Sequence, residues 1–296
     1  MDYRLKTPIS LAQLLEKASI SDIIINDSLK KISVRITNVA PSSAIIQGSL
    51  SFSKTLVDND LECTILIADN VELPNDSKCT YIPCKNPRLA FIQALEYLDT
   101  NIGFKHLDFD SKIHPTAKIG QNVIIERGCK IAENVVIEHN VVIHKGTTIG
   151  KNSRIRANSS IGGDGFGFER LADGTPLRFT HLGGVEIGEN VELGSLNSVA
   201  RGTLSNTIIK NYVKTDNLVH IAHNCVIGEG VFITACAEIS GGVTVGKNAW
   251  IGPNSSIMQK ISIGENALVG LGAVVTKPIA DNHVYAGNPA KFIRTH

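Results

Sequence analysis

The sequence predicts a mainly β protein in which a parallel β-helix of hexapeptide repeats follows a small α/β domain. Isoleucine occupies every sixth position from Ile113 to Ile161. A period of six fits neither a helix nor a plain strand, so the repeating unit must be a short strand and a turn. Three such hexads form one triangular coil. The residues before Ile113 lack the repeat and need a core of their own.

The repeat is interrupted and then continues to Val275. Mostly aliphatic residues return at six-residue intervals from Ile187 to Val199 and from Ile209 to Val275. The three runs contain 24 hexads, which predict eight coils of eighteen residues. At about 4.8 Å per coil they would stack over about 40 Å. The count gains two residues between Ile161 and Ile187 and loses two between Val199 and Ile209. We therefore expect a looped-out arm over residues 162–185.

The N-terminal part shows the patterns of a small α/β domain. A helix is expected over residues 10–19, where Ser10 is placed as N-cap and Gln13 as its capping-box partner. Strands are expected over residues 32–36, 48–52 and 64–68, and a second helix over residues 88–98, after a proline. We predict domains at 1–105 and 106–280, followed by a C-terminal segment at 281–296.

Composition excludes several classes of protein. Lys and Arg number 29 against 28 Asp and Glu, so no net charge favours nucleic acid or an anionic membrane. The N-terminus lacks an apolar signal segment and no apolar stretch is long enough to span a membrane, so we expect a cytoplasmic protein without an integral membrane segment. The six cysteines form no CxxC pair and are expected to be buried free thiols: Cys63, Cys79, Cys84, Cys129, Cys225 and Cys236.

Spacing brings three candidate catalytic residues together. Asp216 precedes His223 by seven residues, one hexad plus one, so a turn and the neighbouring face could approach each other. A neutral imidazole can accept a proton from an attacking amine, and a carboxylate on its other nitrogen fixes the tautomer. Gly241 follows His223 by one coil of eighteen residues, and its N–H could hold an oxyanion. The alternatives are a structural histidine and a glycine that only turns a corner.

The arm begins with a glycine-rich segment, Gly162 to Phe168, which lacks the GxxxxGK[ST] pattern of a phosphate-binding loop. It is too rich in glycine for a strand. We interpret it as a mobile arm with two aromatic anchors, Phe166 and Phe168. The alternative is a surface excursion with both rings packed against the next coil.

Four stretches of the chain carry a resemblance to a known family: residues 163–168, 187–194, 201–209 and 216–224. In these stretches the sequence resembles the UDP-3-O-acylglucosamine N-acyltransferases of lipid A biosynthesis. The resemblance implies a left-handed parallel β-helix assembled as a homotrimer, with active sites between neighbouring prisms. It also implies that the N-terminal domain helps to hold the nucleotide.

The same resemblance assigns roles to individual residues. His223 matches the general base, Asp216 its carboxylate partner, and Gly241 the residue whose N–H faces the thioester carbonyl. Phe52 matches the aromatic residue that stacks on uracil. Further substrate contacts are implied within the matching stretches, at Phe166, Phe168, His220 and Asn224.

The end of the sequence favours coenzyme A as the acyl donor. Lys260 stands where the family has a second active-site histidine, and the family's helical extension that engages acyl carrier protein does not follow. Residues 272–277 and 285–291 instead resemble hexapeptide acetyltransferases that use coenzyme A. This resemblance implies a coenzyme site at Gly241, Lys277, Gly287, Asn288, Pro289, Lys291 and Arg294. A solvated basic tail is the alternative for the three basic residues.

These features predict an enzyme that transfers an acyl group from acyl-CoA to the amine of a UDP- or dTDP-linked amino sugar. Such a reaction would serve the synthesis of cell-surface glycans such as lipopolysaccharide and O-antigen. The amine attacks the thioester directly, without a covalent enzyme intermediate and without a permanently bound cofactor. The first alternative is the lipid A enzyme itself, with acyl carrier protein as donor.

Two further alternatives belong to other classes. His139 and His144 have the spacing of two zinc ligands in β-helix carbonic anhydrases, but the third ligand would fall at Gly103, so no metal site is assigned. A non-catalytic scaffold is the other alternative. The interrupted register argues against it, because a pure scaffold has no reason to break its repeat.

Overall fold

The computed structural model describes residues 3–18, 20, 23, 34–57, 59–74 and 76–295. The described chain divides into two compact units. The first contains the residues up to His106 together with Gly167–Thr180, and the second contains Leu107–Phe166 and His181–His296. In these ranges, no helix combines the length and apolar character needed to cross a bilayer.

The first unit is a five-stranded sheet with two helices among its described residues. Its elements are β1 (Tyr3–Ser10), α1 (Leu11–Lys17), β2 (Arg35–Val39), β3 (Ser49–Ser53), β4 (Thr64–Ala68), β5 (Thr80–Cys84) and α2 (Pro87–Asn101). The strands lie in chain order, with β1 antiparallel to β2 and the other pairs parallel. The predicted capping box is confirmed, because Ser10 Oγ accepts from the Gln13 amide at 3.2 Å. Part of the strand expected at 32–36 lies outside the described residues.

The second unit is a β-helix whose strands are mostly two residues long. Before the arm these are β6 (Lys112–Ile113), β7 (Lys118–Ile119), β8 (Ile124–Ile125), β9 (Lys130–Ile131), β10 (Val136–Ile137), β11 (Val142–Ile143), β12 (Thr147–Ile149), β13 (Arg154–Ile155) and β14 (Ser160–Gly163). The arm contains β15 (Phe168–Arg170) and β16 (Pro176–Arg178), which belong to the first unit.

The β-helix then continues to the C-terminus. Its later strands are β17 (Val185–Ile187), β18 (Glu192–Leu193), β19 (Ser198–Ala200), β20 (Thr207–Ile209), β21 (Lys214–Thr215), β22 (His220–Ile221), β23 (Val226–Ile227), β24 (Phe232–Ile233), β25 (Glu238–Ile239), β26 (Thr244–Val245), β27 (Trp250–Ile251), β28 (Ser256–Ile257), β29 (Ser262–Ile263), β30 (Leu268–Val269) and β31 (Val274–Val275). They are followed by β32 (His283–Ala286) and β33 (Lys291–Thr295).

Three parallel sheets form the faces of the β-helix. The first runs from β6 to β29, the second from β7 to β30 and the third from β8 to β31, each joining one strand per coil. Within the described chain each face has eight such strands, and β32 and β33 extend the second sheet. The predicted eight coils are therefore confirmed.

The repeating isoleucines form the core, as their spacing predicts. Ile143, Ile149, Ile155 and Ile161 are fully buried. Burial of such a side chain contributes about 1.5–3 kcal/mol, so each coil adds a substantial increment of stability. The three repeating isoleucines of the first coil are the exceptions: Ile113 and Ile119 are 44% and 41% exposed, and Ile125 is partly buried.

Both breaks in the repeat lie at the same corner of the β-helix, the turn that leads from the third sheet to the first, which we call the third corner. Ile161 pairs with Val199, 38 residues later, and Val199 pairs with Ile221, 22 residues later, instead of the regular 18. The first break is therefore an insertion of twenty residues. The second break is an insertion of four residues. The sequence count had suggested a loss of two residues, because the ten residues from Val199 to Ile209 equal either one hexad plus four or two hexads minus two.

The arm is an ordered hairpin rather than a loop held by the two predicted aromatic anchors. β15 and β16 pair in antiparallel register, and Phe168 stacks under the Arg178 guanidinium at 4.5 Å. Phe166 is 88% exposed. The buried aromatic residue of the arm is Phe179, 2% exposed, which the sequence analysis missed. The glycine-rich start also contributes to β14, contrary to expectation.

Two other expectations require correction. The C-terminal segment, expected as a coenzyme-binding tail without regular structure of its own, is a hairpin of β32 and β33 that continues the second sheet beyond β30. Five cysteines are buried as predicted, but Cys236 is exposed. It occupies a left-handed turn position (φ 60°), where neighbouring coils carry asparagine or leucine and the side chain points outward.

Candidate functional site

The candidate site is built around His223 at the third corner. The residue follows β22 and is partly buried. A methyl group added to Gly241 would lie 2.7 Å from His223 Cε1 and 2.8 Å from Nε2. The predicted stacking of Gly241 on His223 one coil away is therefore confirmed, and only glycine leaves room for the imidazole. Among the described residues, no acceptor takes a hydrogen bond from the Gly241 N–H.

The twenty-residue insertion covers another side of the imidazole. A methyl group added to Gly165 would lie 2.9 Å from His223 Cδ2 and 3.1 Å from His181 Nε2. His181 is buried and meets the His223 ring edge to face, with centroids 5.7 Å apart. The two ends of the arm thus enclose His223.

An ion pair holds the start of the arm in place. Arg201 Nε donates to Asp164 Oδ1 at 2.7 Å, and its Nη2 lies 2.6 Å from the same oxygen. The Arg201 side chain is only 10% exposed, and its backbone N–H donates to the Gly163 carbonyl. Charge-assisted bonds of this kind are stronger than neutral ones. They fix the residue immediately before Gly165.

The other ring nitrogen of His223 contacts Asn224 rather than Asp216. His223 Nδ1 lies 3.0 Å from Asn224 Oδ1. The Asp216 carboxylate accepts from the Asn217 amide at 2.7 Å, and no hydrogen bond or ion pair links it to His223 among the described residues. The predicted contact is therefore not formed within this chain. Asp216 follows β21 on the second sheet, so seven residues carry the chain past one strand to a different corner.

The predicted substrate residues lie in different places. His220 is the first residue of β22, in register with Glu238 of β25 on the third sheet. Phe52 lies in the first unit, half-buried against Phe91 and Phe179 with ring centroids 4.8 and 6.5 Å away. Their predicted roles, and those of Phe166 and Phe168, stay predictions.

The predicted coenzyme residues other than Gly241 lie at the C-terminal end of the β-helix. Gly287, Asn288 and Pro289 form the turn between β32 and β33, with a cis peptide bond before the proline. Lys277, Lys291 and Arg294 are exposed. Among the described residues, Arg294 Nη1 donates to the Thr295 carbonyl oxygen at 3.3 Å, and the coenzyme role of these three side chains stays a prediction.

The histidines of the zinc alternative are engaged elsewhere. His139 Nδ1 accepts from the Gln121 amide at 2.8 Å. His144 lies between Glu126 Oε1 and Ser160 Oγ, each at 3.2 Å. Burial alone would raise the pKa of Glu126, but hydrogen bonds from the Lys145 amide and His144 outweigh it and lower the pKa. The described residues contain no cluster of three or more His, Cys, Asp or Glu that could hold a metal ion.

Cys225 is close to His223 in sequence but is a poor nucleophile. Its side chain is buried and its Sγ lies 3.2 Å from the Ser240 carbonyl oxygen. Burial raises the pKa of the Cys225 thiol to about 11. Because the thiolate is the reactive species, Cys225 is almost entirely unreactive near neutral pH.

The sequence analysis missed four residues, of which Gly165 and His181 lie against His223 and Thr203 and Ser205 hydrogen-bond with Asn224. Gly165 and His181 belong to the first insertion, and Thr203 and Ser205 belong to the second. Residues in register can be placed by counting eighteen, but residues inside an insertion cannot. The positions of the two breaks were the one available signal that this corner differs from the others.

Comparisons with known proteins agree with this architecture. The family described as bacterial transferase hexapeptide (six repeats) matches residues 128–163, 206–241 and 242–277. A UDP-3-O-acylglucosamine N-acyltransferase from Saccharophagus degradans is 53% identical over 129 residues, which cover 44% of this chain and 38% of that protein. One from Chlorobium chlorochromatii is 48% identical over 84 residues, covering 28% of this chain and 23% of that protein. The matches thus span well under half the length of these relatives.

Solved structures share the same fold. A UDP-N-acetylglucosamine acyltransferase from Bacteroides fragilis superposes with a TM-score of 0.50 at 25% identity, covering 62% of this chain and 72% of that chain. LpxA from Acinetobacter baumannii gives the same four values. The predicted left-handed β-helix is confirmed. The chain therefore carries bacterial transferase hexapeptide repeats and is similar, over part of its length, to UDP-3-O-acylglucosamine N-acyltransferases.

Proposed function

We propose that this protein is an N-acyltransferase that acts on a UDP-linked 3-O-acylglucosamine. The observation that carries the proposal is the His223 imidazole, whose Nε2 lies against Gly241 while its Nδ1 contacts Asn224. One ring nitrogen is oriented by the protein and the other faces a position that only glycine leaves open. This is the arrangement that a general base requires.

The proposed reaction needs no covalent enzyme intermediate. The sugar amine attacks the thioester carbonyl carbon, the C–N bond forms and the C–S bond breaks. His223 Nε2 accepts the proton that the amine loses and returns it to the departing thiolate. The Gly241 N–H stabilises the negative charge on the tetrahedral oxygen. The buried Cys225 takes no part.

For the acyl donor, we favour acyl carrier protein over the coenzyme A that the C-terminal residues predicted. The relatives are UDP-3-O-acylglucosamine N-acyltransferases, which supports the lipid A alternative and makes UDP the preferred nucleotide over dTDP. The exposed positions of Lys277, Lys291 and Arg294 give the coenzyme site no further support. The homotrimer and the stacking of uracil on Phe52 follow from the family resemblance and belong to the same proposal.

A donor comparison tests this function. The full chain is incubated with UDP-3-O-(3-hydroxyacyl)glucosamine and, in separate reactions, with 3-hydroxyacyl carrier protein, 3-hydroxyacyl-CoA or acetyl-CoA. We expect N-acylated product by mass spectrometry, with the highest kcat/KM for the carrier protein. A higher kcat/KM for acetyl-CoA would overturn the donor assignment. The absence of N-acylated product with all three donors would overturn the function.

A further inference from the structure

Asn224 contacts His223 Nδ1, the ring nitrogen for which the sequence analysis had predicted the Asp216 carboxylate as partner. The side chain is partly buried and its backbone is left-handed, with φ 61°. Asparagine is common at such turns in this β-helix, for example at Asn158 and Asn254, so the backbone alone assigns it no function. Its amide group distinguishes it, because that group has four polar contacts.

The contacts fix which end of the amide faces His223. The Thr203 backbone N–H donates to Asn224 Oδ1 at 3.2 Å, and a backbone N–H can only donate. The Thr203 hydroxyl lies 3.0 Å from the same oxygen, and Asn224 Nδ2 donates to Ser205 Oγ at 2.7 Å. A flipped amide would place its NH₂ group against the Thr203 N–H. The atom 3.0 Å from His223 Nδ1 is therefore the carbonyl oxygen.

The orientation of the amide determines the proton position on the imidazole. A carbonyl oxygen only accepts, so Nδ1 must carry the proton and donate it to Asn224. In the neutral ring, Nε2 then has the free lone pair. Nε2 is also the nitrogen that lies against Gly241, where the reacting amine would be.

We propose that Asn224 is the positioning residue that sets the tautomer of His223, in place of the predicted Asp216. It acts through His223 and is not itself a group that touches the reacting atoms. Thr203 and Ser205, which hold the amide, come from the four-residue insertion at the third corner. The second break in the repeat thus builds the support for the general base. This inference rests on the proposed function for its kinetic consequence only, because the tautomer itself is a property of the resting protein.

The test combines a spectroscopic and a kinetic measurement. In histidine-labelled protein, ¹⁵N chemical shifts report which ring nitrogen is protonated, and His223→Gln identifies the signals of His223. We expect Nδ1–H in the wild type and a mixture of tautomers in Asn224→Gly. Glycine retains the left-handed backbone without strain. Asn254→Gly is the matched control, since Asn254 has the same conformation (φ 55°) on a different corner.

The kinetic expectation follows from the tautomer. Asn224→Gly should lower kcat by between about 10-fold and 10⁴-fold with KM little changed, because loss of the aspartate that orients the histidine of a Ser-His-Asp triad reaches the upper value. Asn224→Asp should shift the acid limb of kcat/KM to higher pH, because a carboxylate beside the imidazole favours its protonated form. Asn254→Gly should change neither kcat nor the pH profile.

Three results would overturn the inference: an Nε2–H tautomer in the wild type, an unchanged tautomer in Asn224→Gly, or an unshifted pH profile in Asn224→Asp. Failure of the proposed function is distinguishable from these. In that case no donor gives product with the wild type, while the ¹⁵N spectrum still reports the tautomer.

Discussion

The close approach of Gly241 to His223 gives a quantitative prediction for Gly241→Ala. The added methyl carbon would lie 2.7 Å from His223 Cε1 and 2.8 Å from Nε2. Carbon atoms in favourable contact are about 3.5–4.0 Å apart, so the imidazole must move by about 1 Å. A misplacement of about 1 Å can cost about 10²-fold in rate. We therefore expect kcat/KM to fall about 100-fold.

The stability change should be small by comparison, because overpacking typically costs about 1–3 kcal/mol. Steady-state kinetics and thermal unfolding of the same preparations separate the two effects. Gly272→Ala is the control, since nothing lies within 4 Å of the added methyl and its cost is the left-handed backbone alone (φ 62°). It should lose stability but retain activity. Wild-type kcat/KM in Gly241→Ala would refute the reasoning.

Three further predictions concern the arm and the cysteines. Gly165→Ala should lower kcat by a similar factor, because its methyl would contact His223 Cδ2 at 2.9 Å, and full activity would contradict the enclosure of the ring by the arm. Arg201→Met should lower the free energy of unfolding by about 1–3 kcal/mol, since Asp164 loses its ion pair; an unchanged denaturation midpoint would contradict this. Iodoacetamide at about pH 8 should modify the exposed Cys236 and spare Cys225, whose pKa of about 11 allows reaction only as the pH rises toward that value. Equal labelling of Cys236 and Cys225 at about pH 8, measured by peptide mass spectrometry, would contradict the burial of Cys225.

The period of six determined how much of this fold could be predicted. Each isoleucine must face the core, so the number of coils and the register between them follow from the sequence. Gly241 was placed over His223 by counting eighteen residues, and the structure confirms that placement. The capping box at Ser10 was equally predictable, because its two bonds are local.

Other features depended on contacts that no periodicity reports. Asp216 and His223 are seven residues apart, which places them on successive corners, and within this chain the Asp216 carboxylate accepts from the Asn217 backbone N–H instead of contacting His223. His181 and Phe179 lie inside the arm, where the register stops. β1 was missed because its alternation stops after four residues, at Thr7 and Pro8, and β5 because it contains Pro83 and lacks a regular apolar alternation.

The central claim is that His223 accepts the proton of the sugar amine. The most direct measurement is single-turnover formation of the N-acylated product by His223→Ala, with binding of the UDP-sugar measured separately. His114→Ala is the matched control, an exposed histidine whose Nδ1 lies 2.9 Å from Thr116 Oγ1. Loss of a general base typically lowers the rate about 10²- to 10⁴-fold. We predict a reduction of this size in the single-turnover rate of His223→Ala, with UDP-sugar binding retained. Turnover by His223→Ala equal to that of His114→Ala would contradict the claim.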